Sequence, residues 1–170
     1  MNIYNVAGWQ PQVSYSVDGG LGSLLVSQPD KETSLVNRGG QNRWDLSLSD
    51  SVPIGLEIST GAGTSELNLS AIDLSGLKIE TGAGSGTVDL DGNWSQDLSV
   101  TIQGGVGNVT VILPREMGVR VDVETGIGSV ETAGLAKDGE FYVNEAFGNS
   151  LQTLYLDIQS GIGAIDLQVR

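Results

Sequence analysis

The sequence predicts an all-β chain forming one domain, a β-solenoid of about seven short two-strand rungs. Three observations carry that reading: a Gly-x-Gly mark that recurs at a nearly fixed period, gapless apolar–polar alternation on either side of it, and an excess of glycine. Gly accounts for 25 of 170 residues while the apolar fraction stays at 39%. The usual glycine share is roughly 7%, so the composition points to many tight turns in a packed β protein rather than to disorder. A chain of this length can bury a substantial core without disulfides, and it contains no Cys.

The marks are Gly20-Leu21-Gly22, Gly61-Ala62-Gly63, Gly82-Ala83-Gly84, Gly105-Val106-Gly107, Gly126-Ile127-Gly128 and Gly161-Ile162-Gly163. From Gly61 onward their first glycines are 21, 23, 21 and 35 residues apart. The 41-residue gap between Gly20 and Gly61 is close to two periods, with Gly39-Gly40 where a degenerate mark would fall. A repeat of this length decides the whole fold.

The flanks align without gaps. Five positions before the first Gly stand Tyr15, Leu56, Leu77, Val100, Val121 and Leu156, and three before it Val17, Ile58, Ile79, Ile102, Val123 and Ile158. Polar residues separate them, which is the pattern of a half-buried strand. Alternation resumes after the mark at Leu67 and Leu69, Val88 and Leu90, Val111 and Leu113, and Ile165 and Leu167. Each rung thus offers two strands joined at a corner, where glycine reaches positive φ and lets neighbouring backbones approach. A phosphate-cradling loop would need one Gly-rich turn opening a helix, with a lysine or acid at set spacing. Six copies with no following helix favour the structural role.

Equivalent residues in stacked rungs lie about 4.8 Å apart, where two like charges cost roughly 0.9 kcal/mol even in bulk water. Two positions before the mark, Ser59, Glu80, Gln103, Glu124 and Gln159 alternate neutral with acidic. One position before it, Thr60, Thr81, Gly104, Thr125 and Ser160 form a ladder of small, mostly hydroxyl side chains. In-register parallel stacking favours both ladders. A meander of antiparallel hairpins stays open as an alternative; propeller blades need about 40 residues, twice this period.

Residues 1–50 read as the atypical, capping start of the stack, with Trp9 and Trp44 available to cover its first layer, and 51–170 as the repeat proper. The long last interval places an insertion within 132–152, around Phe141-Tyr142-Val143. Irregular loops on a rigid scaffold often carry recognition, so Phe141, Tyr142 and Phe147 are candidate partner contacts; the alternative is that they cover the core.

Charge and residue types narrow the function. Eight basic and 21 acidic side chains leave a net charge of −13, which excludes nucleic acid as a natural partner and opposes adsorption to anionic membranes. No stretch approaches the roughly 18 apolar residues of a spanning helix, so no direct membrane insertion by this chain is expected. Any anchor is expected outside these residues or in a partner. The chain has neither His nor Cys, which removes Ser-His-Asp and Cys-His triads and the commonest metal ligands. Among the carboxylates Glu57, Glu80, Asp89, Glu124 and Asp166 no acid–base pair can be placed, because they recur at repeat positions as solvated faces do. Asp89-Leu90-Asp91-Gly92-Asn93 departs from a calcium loop, its glycine falling one place early. No catalytic residue, metal ligand or cofactor is assigned.

The runs Val52-Pro53-Ile54-Gly55-Leu56-Glu57-Ile58-Ser59-Thr60-Gly61-Ala62-Gly63, Leu67-Asn68-Leu69 and Leu77-Lys78-Ile79-Glu80-Thr81-Gly82-Ala83-Gly84 resemble the bacterial toast-rack family. That family is similar to the C-terminal domain of LiaF-type cell-wall-active-antibiotic response proteins. The likeness continues through Val121 to Val130, Phe141-Tyr142-Val143 and the closing Leu156 to Gly163, and residues 1–50 look like the family's N-terminal segment. The resemblance implies a stacked β-helix-like domain, tethered to bacterial membranes, that serves envelope-stress sensing through protein contacts, with no catalytic residues to carry over. The expectation is therefore a non-enzymatic interaction module of the cell envelope with an unknown, membrane-associated protein partner. A self-assembling scaffold is the alternative, and an envelope polysaccharide hydrolase or lyase ranks below both.

Overall fold

The computed structural model describes residues 2–4, 11–28 and 43–170, so Trp9 and Gly39-Gly40 lie outside the described residues. The chain divides into two compact units, Met1–Leu48 and Ser49–Arg170.

In the first unit β1 (Asn2–Tyr4) pairs antiparallel with β4 (Arg43–Asp45), which carries Trp44. Strand β2 (Gln12–Asp18) pairs antiparallel with β3 (Leu21–Ser27). The two residues between them, Gly19 and Gly20, have φ of +57° and +88°. Two central residues at positive φ are what a tight hairpin turn needs. The first Gly-x-Gly is therefore not a rung corner: Gly20 is in a hairpin turn and Gly22 is in β3, paired with Val17. The local Gly-Gly turn lets the two halves of this copy pair with each other instead of with a neighbouring rung.

The second unit holds a seven-stranded mixed sheet. Five long strands, β5 (Ile54–Asn68), β6 (Leu74–Asp89), β7 (Leu98–Leu113), β8 (Gly118–Ala133) and β11 (Thr153–Val169), run parallel, each with Gly-x-Gly at its middle. Two short strands, β9 (Ala136–Asp138) and β10 (Phe141–Val143), form an antiparallel hairpin, and β10 pairs antiparallel with the start of β8. Five marked strands stand in the sheet where seven rungs were expected.

Two facts show that each long strand doubles back at its glycines. The first is the links: β5 to β6 needs only Leu69–Asp73 and β7 to β8 only Pro114–Met117. A straight 16-residue strand would end about 50 Å from the start of the next long parallel strand, whereas four or five residues reach less than about 20 Å. The second is parity. Ile79 and Val88 are nine residues apart in β6, which in a flat strand would send them to opposite faces. Both are buried in the same core cluster, as are Ile102 with Val111 in β7 and Leu156 with Ile165 in β11. The two arms of the sheet thus close on one shared core.

The bend is glycine by necessity. Gly84, Gly107 and Gly163 have φ of +146°, +142° and +149°. A Cβ on Gly105 would run into the carbonyl oxygen of Gly82, and one on Gly107 into that of Gly84. Edge position changes the requirement: a Cβ on Gly61 of β5 would meet nothing within 4 Å.

Chain order is not sheet order. The long strands follow as β5-β6-β7-β11-β8, so β11 pairs with both β7 and β8 and those two never touch as neighbours. The insertion explains this. After β8, the hairpin β9–β10 turns onto the far side of β8 and the chain then returns as β11 on the near side. Asn144, 6% exposed, holds the arrangement: its Oδ1 accepts from Val119 N at 2.9 Å while its Nδ2 donates to Met117 O at 2.7 Å and Pro114 O at 3.1 Å. Ser150 adds a second tie, its Oγ accepting from Gly118 N and donating to Gln152 O, both at 2.7 Å.

Candidate functional site: the outer surface of the glycine bend

The strand alternation that buries Leu77 and Ile79 turns the intervening side chains outward, and register stacks them into ladders across the sheet. Two positions before the mark the ladder reads Ser59, Glu80, Gln103, Gln159, Glu124. Because β11 lies between β7 and β8, Gln103 and Gln159 are adjacent and the strict neutral–acid alternation expected from chain order does not occur; the acids end up further apart. Gln103 Nε2 donates to Gln159 Oε1 at 3.3 Å, and Ser59 Oγ to Glu80 Oε2 at 3.1 Å. One position on run Thr60, Thr81, Gly104, Ser160, Thr125. With the first glycines of the marks, these two ladders line a groove of about 750 Å³ that crosses all five long strands.

The charge along this face is uneven. On β6, Lys78 Nζ meets Glu80 Oε1 at 2.7 Å and Glu57 Oε1 of β5 at 3.3 Å. The ammonium and the Ser59 hydroxyl hold Glu80 below the ordinary carboxylate range, and the hydrogen bonds to Glu80 and Glu57 push Lys78 above its ordinary value. At the β11–β8 end no cation among the described residues plays this part. There Asp157 stands directly beside Asp122, and Asp166 beside Glu131. Among the described residues the ion pairs are those of Lys78 alone.

The groove lining takes in Gly61's neighbours in the ladder, Gly82, Gly105, Gly126 and Gly161. The second glycines, Gly63, Gly84, Gly107, Gly128 and Gly163, stack in register beyond it. Phe141, Tyr142 and Phe147 are not part of the groove. They are half-buried on the insertion: the Arg120 guanidinium lies 3.5 Å from the Phe141 ring centre, Lys137 Nζ is 5.8 Å from that of Tyr142, and Tyr142 packs against the core. The remaining candidate acids are dispersed: Asp89 Oδ1 accepts from Asp91 N at 2.9 Å and Asp166 Oδ2 from Gln168 Nε2 at 2.6 Å. Among the described residues no three His, Cys, Asp or Glu side chains are placed to hold a metal ion.

The middle residue of Gly-x-Gly has no role assigned to it from the sequence. In sheet order these residues are Ala62, Ala83, Val106, Ile162 and Ile127, an apolar ladder beside the groove. Val106, Ile162 and Ile127 are 54%, 48% and 70% exposed. Their β-branched identity next to glycine was the available signal.

Two family models match the chain: the N-terminal domain of toast_rack over residues 2–112, and the C-terminal region of LiaF, described as cell wall-active antibiotics response, over residues 61–167. Among solved structures, a protein from Clostridium sporogenes described as a candidate cell adhesion protein is 31% identical, with a TM-score of 0.91 over 99% of this chain and 81% of its own. No curated protein matches. None of these descriptions names a catalytic activity.

Proposed function

Since this chain belongs to the toast-rack family with a LiaF-like C-terminal region, we propose that it is a non-enzymatic protein-interaction module of the bacterial cell envelope, built as a β-solenoid on its folded-back strands. The observation that carries this reading is the spacing of the groove's acids. Glu80 on β6 and Glu124 on β8 are three strand spacings apart, about 14 Å. Carboxylates that cleave glycosides lie roughly 5 to 9.5 Å apart, so this pair cannot flank one bond. Glu57 and Glu80 are closer, but both carboxylates are tied to the Lys78 ammonium between them, at 3.3 and 2.7 Å, and Glu57 does not line the groove; Asp122–Asp157 and Glu131–Asp166 lie outside it. A long ladder surface on a stiff sheet suits recognition of another macromolecule. The relation to LiaF-type proteins supports a place at the membrane, through a segment or partner outside these residues; among the described residues no helix is long and apolar enough to cross it.

Photo-crosslinking in the native cell, with the reactive group placed along the bend and on the insertion, tests the proposal. Capture of one protein from envelope fractions is the expected result. A chain found in the cytosol that captures nothing would overturn it.

Self-assembly end to end is opposed by charge. The start of β8 is already covered by β10, paired at Arg120 and Val121, and stacking β5 of one copy in register on the remainder of β8 of another would set Glu66 against Glu131, on a protein whose net charge is −13.

A further inference from the structure

We infer that the apolar ladder of the bend, centred on Val106, Ile162 and Ile127, docks a cationic amphipathic helix of a protein partner; this rests on the interaction-module reading and names its surface. Exposed apolar side chains scattered singly need no explanation, but contiguous ones rimmed by polar residues mark contact sites. Here three aliphatic side chains stand on adjacent strands, β7, β11 and β8, each paired in register with the next. Each is about half exposed or more, at 54%, 48% and 70%. None of the three belongs to the buried core cluster or to the residues packed against it, so the core does not account for them.

Shape and charge select the occupant. The three side chains span about 10 Å at the spacing of paired strands, and residues i, i+4 and i+7 of a helix span about 10.5 Å with a comparable step. An apolar helical stripe can therefore match the ladder residue for residue. Acids flank the ladder on both sides along the strands: Asp122, Glu124 and Asp157 before it, Glu131 and Asp166 after it. Two of the resulting neighbour pairs, Asp122–Asp157 and Glu131–Asp166, set like charges side by side with no cation between them. On β6 of the same face Lys78 relieves such crowding from within the chain. Lysines or arginines on both flanks of a docked helix would do so from outside. An anionic membrane surface would be repelled by the same acids, and nucleic acid likewise.

The test uses the whole chain and three synthetic peptides of 18 residues, followed by fluorescence anisotropy. One has leucines in a single helical stripe flanked by lysines, the second has the same composition with the stripe scrambled, and the third has glutamates for the lysines. The striped cationic peptide should bind at least tenfold more tightly than the scrambled one, and the glutamate peptide should not bind. Ile127→Ser combined with Ile162→Ser should weaken the striped peptide at least tenfold while leaving thermal unfolding unchanged. Asp122→Asn combined with Glu131→Gln should weaken it and flatten its salt dependence. Equal binding of striped and scrambled peptides, or indifference to the isoleucine changes, would overturn the inference by reducing it to bulk charge attraction. In the cell, a crosslinker at Ile127 should capture the partner; capture from Phe147 alone would overturn this surface and leave the interaction module standing, whereas no capture from either would overturn both.

Discussion

Replacing Asn144 by Ala should cost about 3 kcal/mol, the largest loss expected from any single polar side chain in the sheet unit. Asn144 is 6% exposed and serves both sides of its amide: Oδ1 accepts from Val119 N, and Nδ2 donates to Met117 O and Pro114 O, with Arg115 O at 3.4 Å. The opposite amide orientation would aim Oδ1 at three carbonyl oxygens, so the network admits one arrangement. Truncation strands one buried N–H and at least two carbonyls at roughly 1 kcal/mol each. For a chain of this size that is a fall in Tm of about 6 to 12 °C. The assay is urea or thermal unfolding followed by circular dichroism, with Asn149→Ala as control, whose Nδ2 makes one exposed bond to Glu145 O and whose loss should cost under about 0.5 kcal/mol. Asn144→Asp keeps the acceptor, removes the donors and should be no better than Ala at neutral pH. A loss below about 1 kcal/mol for Asn144→Ala, or a neutral Asn144→Asp, would refute the reasoning that this residue ties the β7–β8 link to the insertion.

Gly105→Ala should abolish soluble folded protein or cost more than about 3 kcal/mol, because its Cβ meets the Gly82 carbonyl, while Gly61→Ala at the same motif position on edge strand β5 should stay within about 1 kcal/mol; chemical denaturation compares them. Lys78→Met should raise the Glu80 pKa toward its ordinary value, followed by NMR titration. In the unaltered chain the depressed Glu80 adds stability that is present above the ordinary carboxylate value and lost as pH falls through its lowered folded value, and Lys78 adds stability that is lost as pH rises through its raised one; an acid limb unchanged by Lys78→Met would contradict this. Sedimentation at several concentrations should show no end-to-end polymer at neutral pH and low salt, and polymer there would refute the charge argument.

Much of the fold was legible because the repeat is written twice, in the glycines and in the flanking alternation. Leu77, Ile79, Val88 and Leu90 were recognisable as inward positions before any coordinate was known, and they are all in the core. The likeness to the toast-rack and LiaF-type families was readable from the same runs and is matched over the chain. Gly20-Leu21-Gly22 misled because its leading flank, Tyr15 and Val17, carries the rung pattern; both are exposed, at 68% and 61%, because the preceding Gly19 supplies a competing hairpin turn. Of the Val106–Ile162–Ile127 ladder only the β-branched residues between glycines were legible; its members are 21 to 56 residues apart and only their register makes them neighbours.

By itself, then, the sequence determined the period, the inward and outward faces of the five long strands, their glycine bends and the absence of His and Cys chemistry, all of which are local or nearest-neighbour properties of the chain. The tertiary structure alone decided that β11 enters between β7 and β8. Strand order follows from which edge the returning chain meets, and that depends on the β9–β10 hairpin and Asn144 holding the far edge of β8. This single non-local choice pairs Gln103 with Gln159, keeps Glu80 from Glu124, and crowds Asp157 against Asp122 beside the exposed isoleucines.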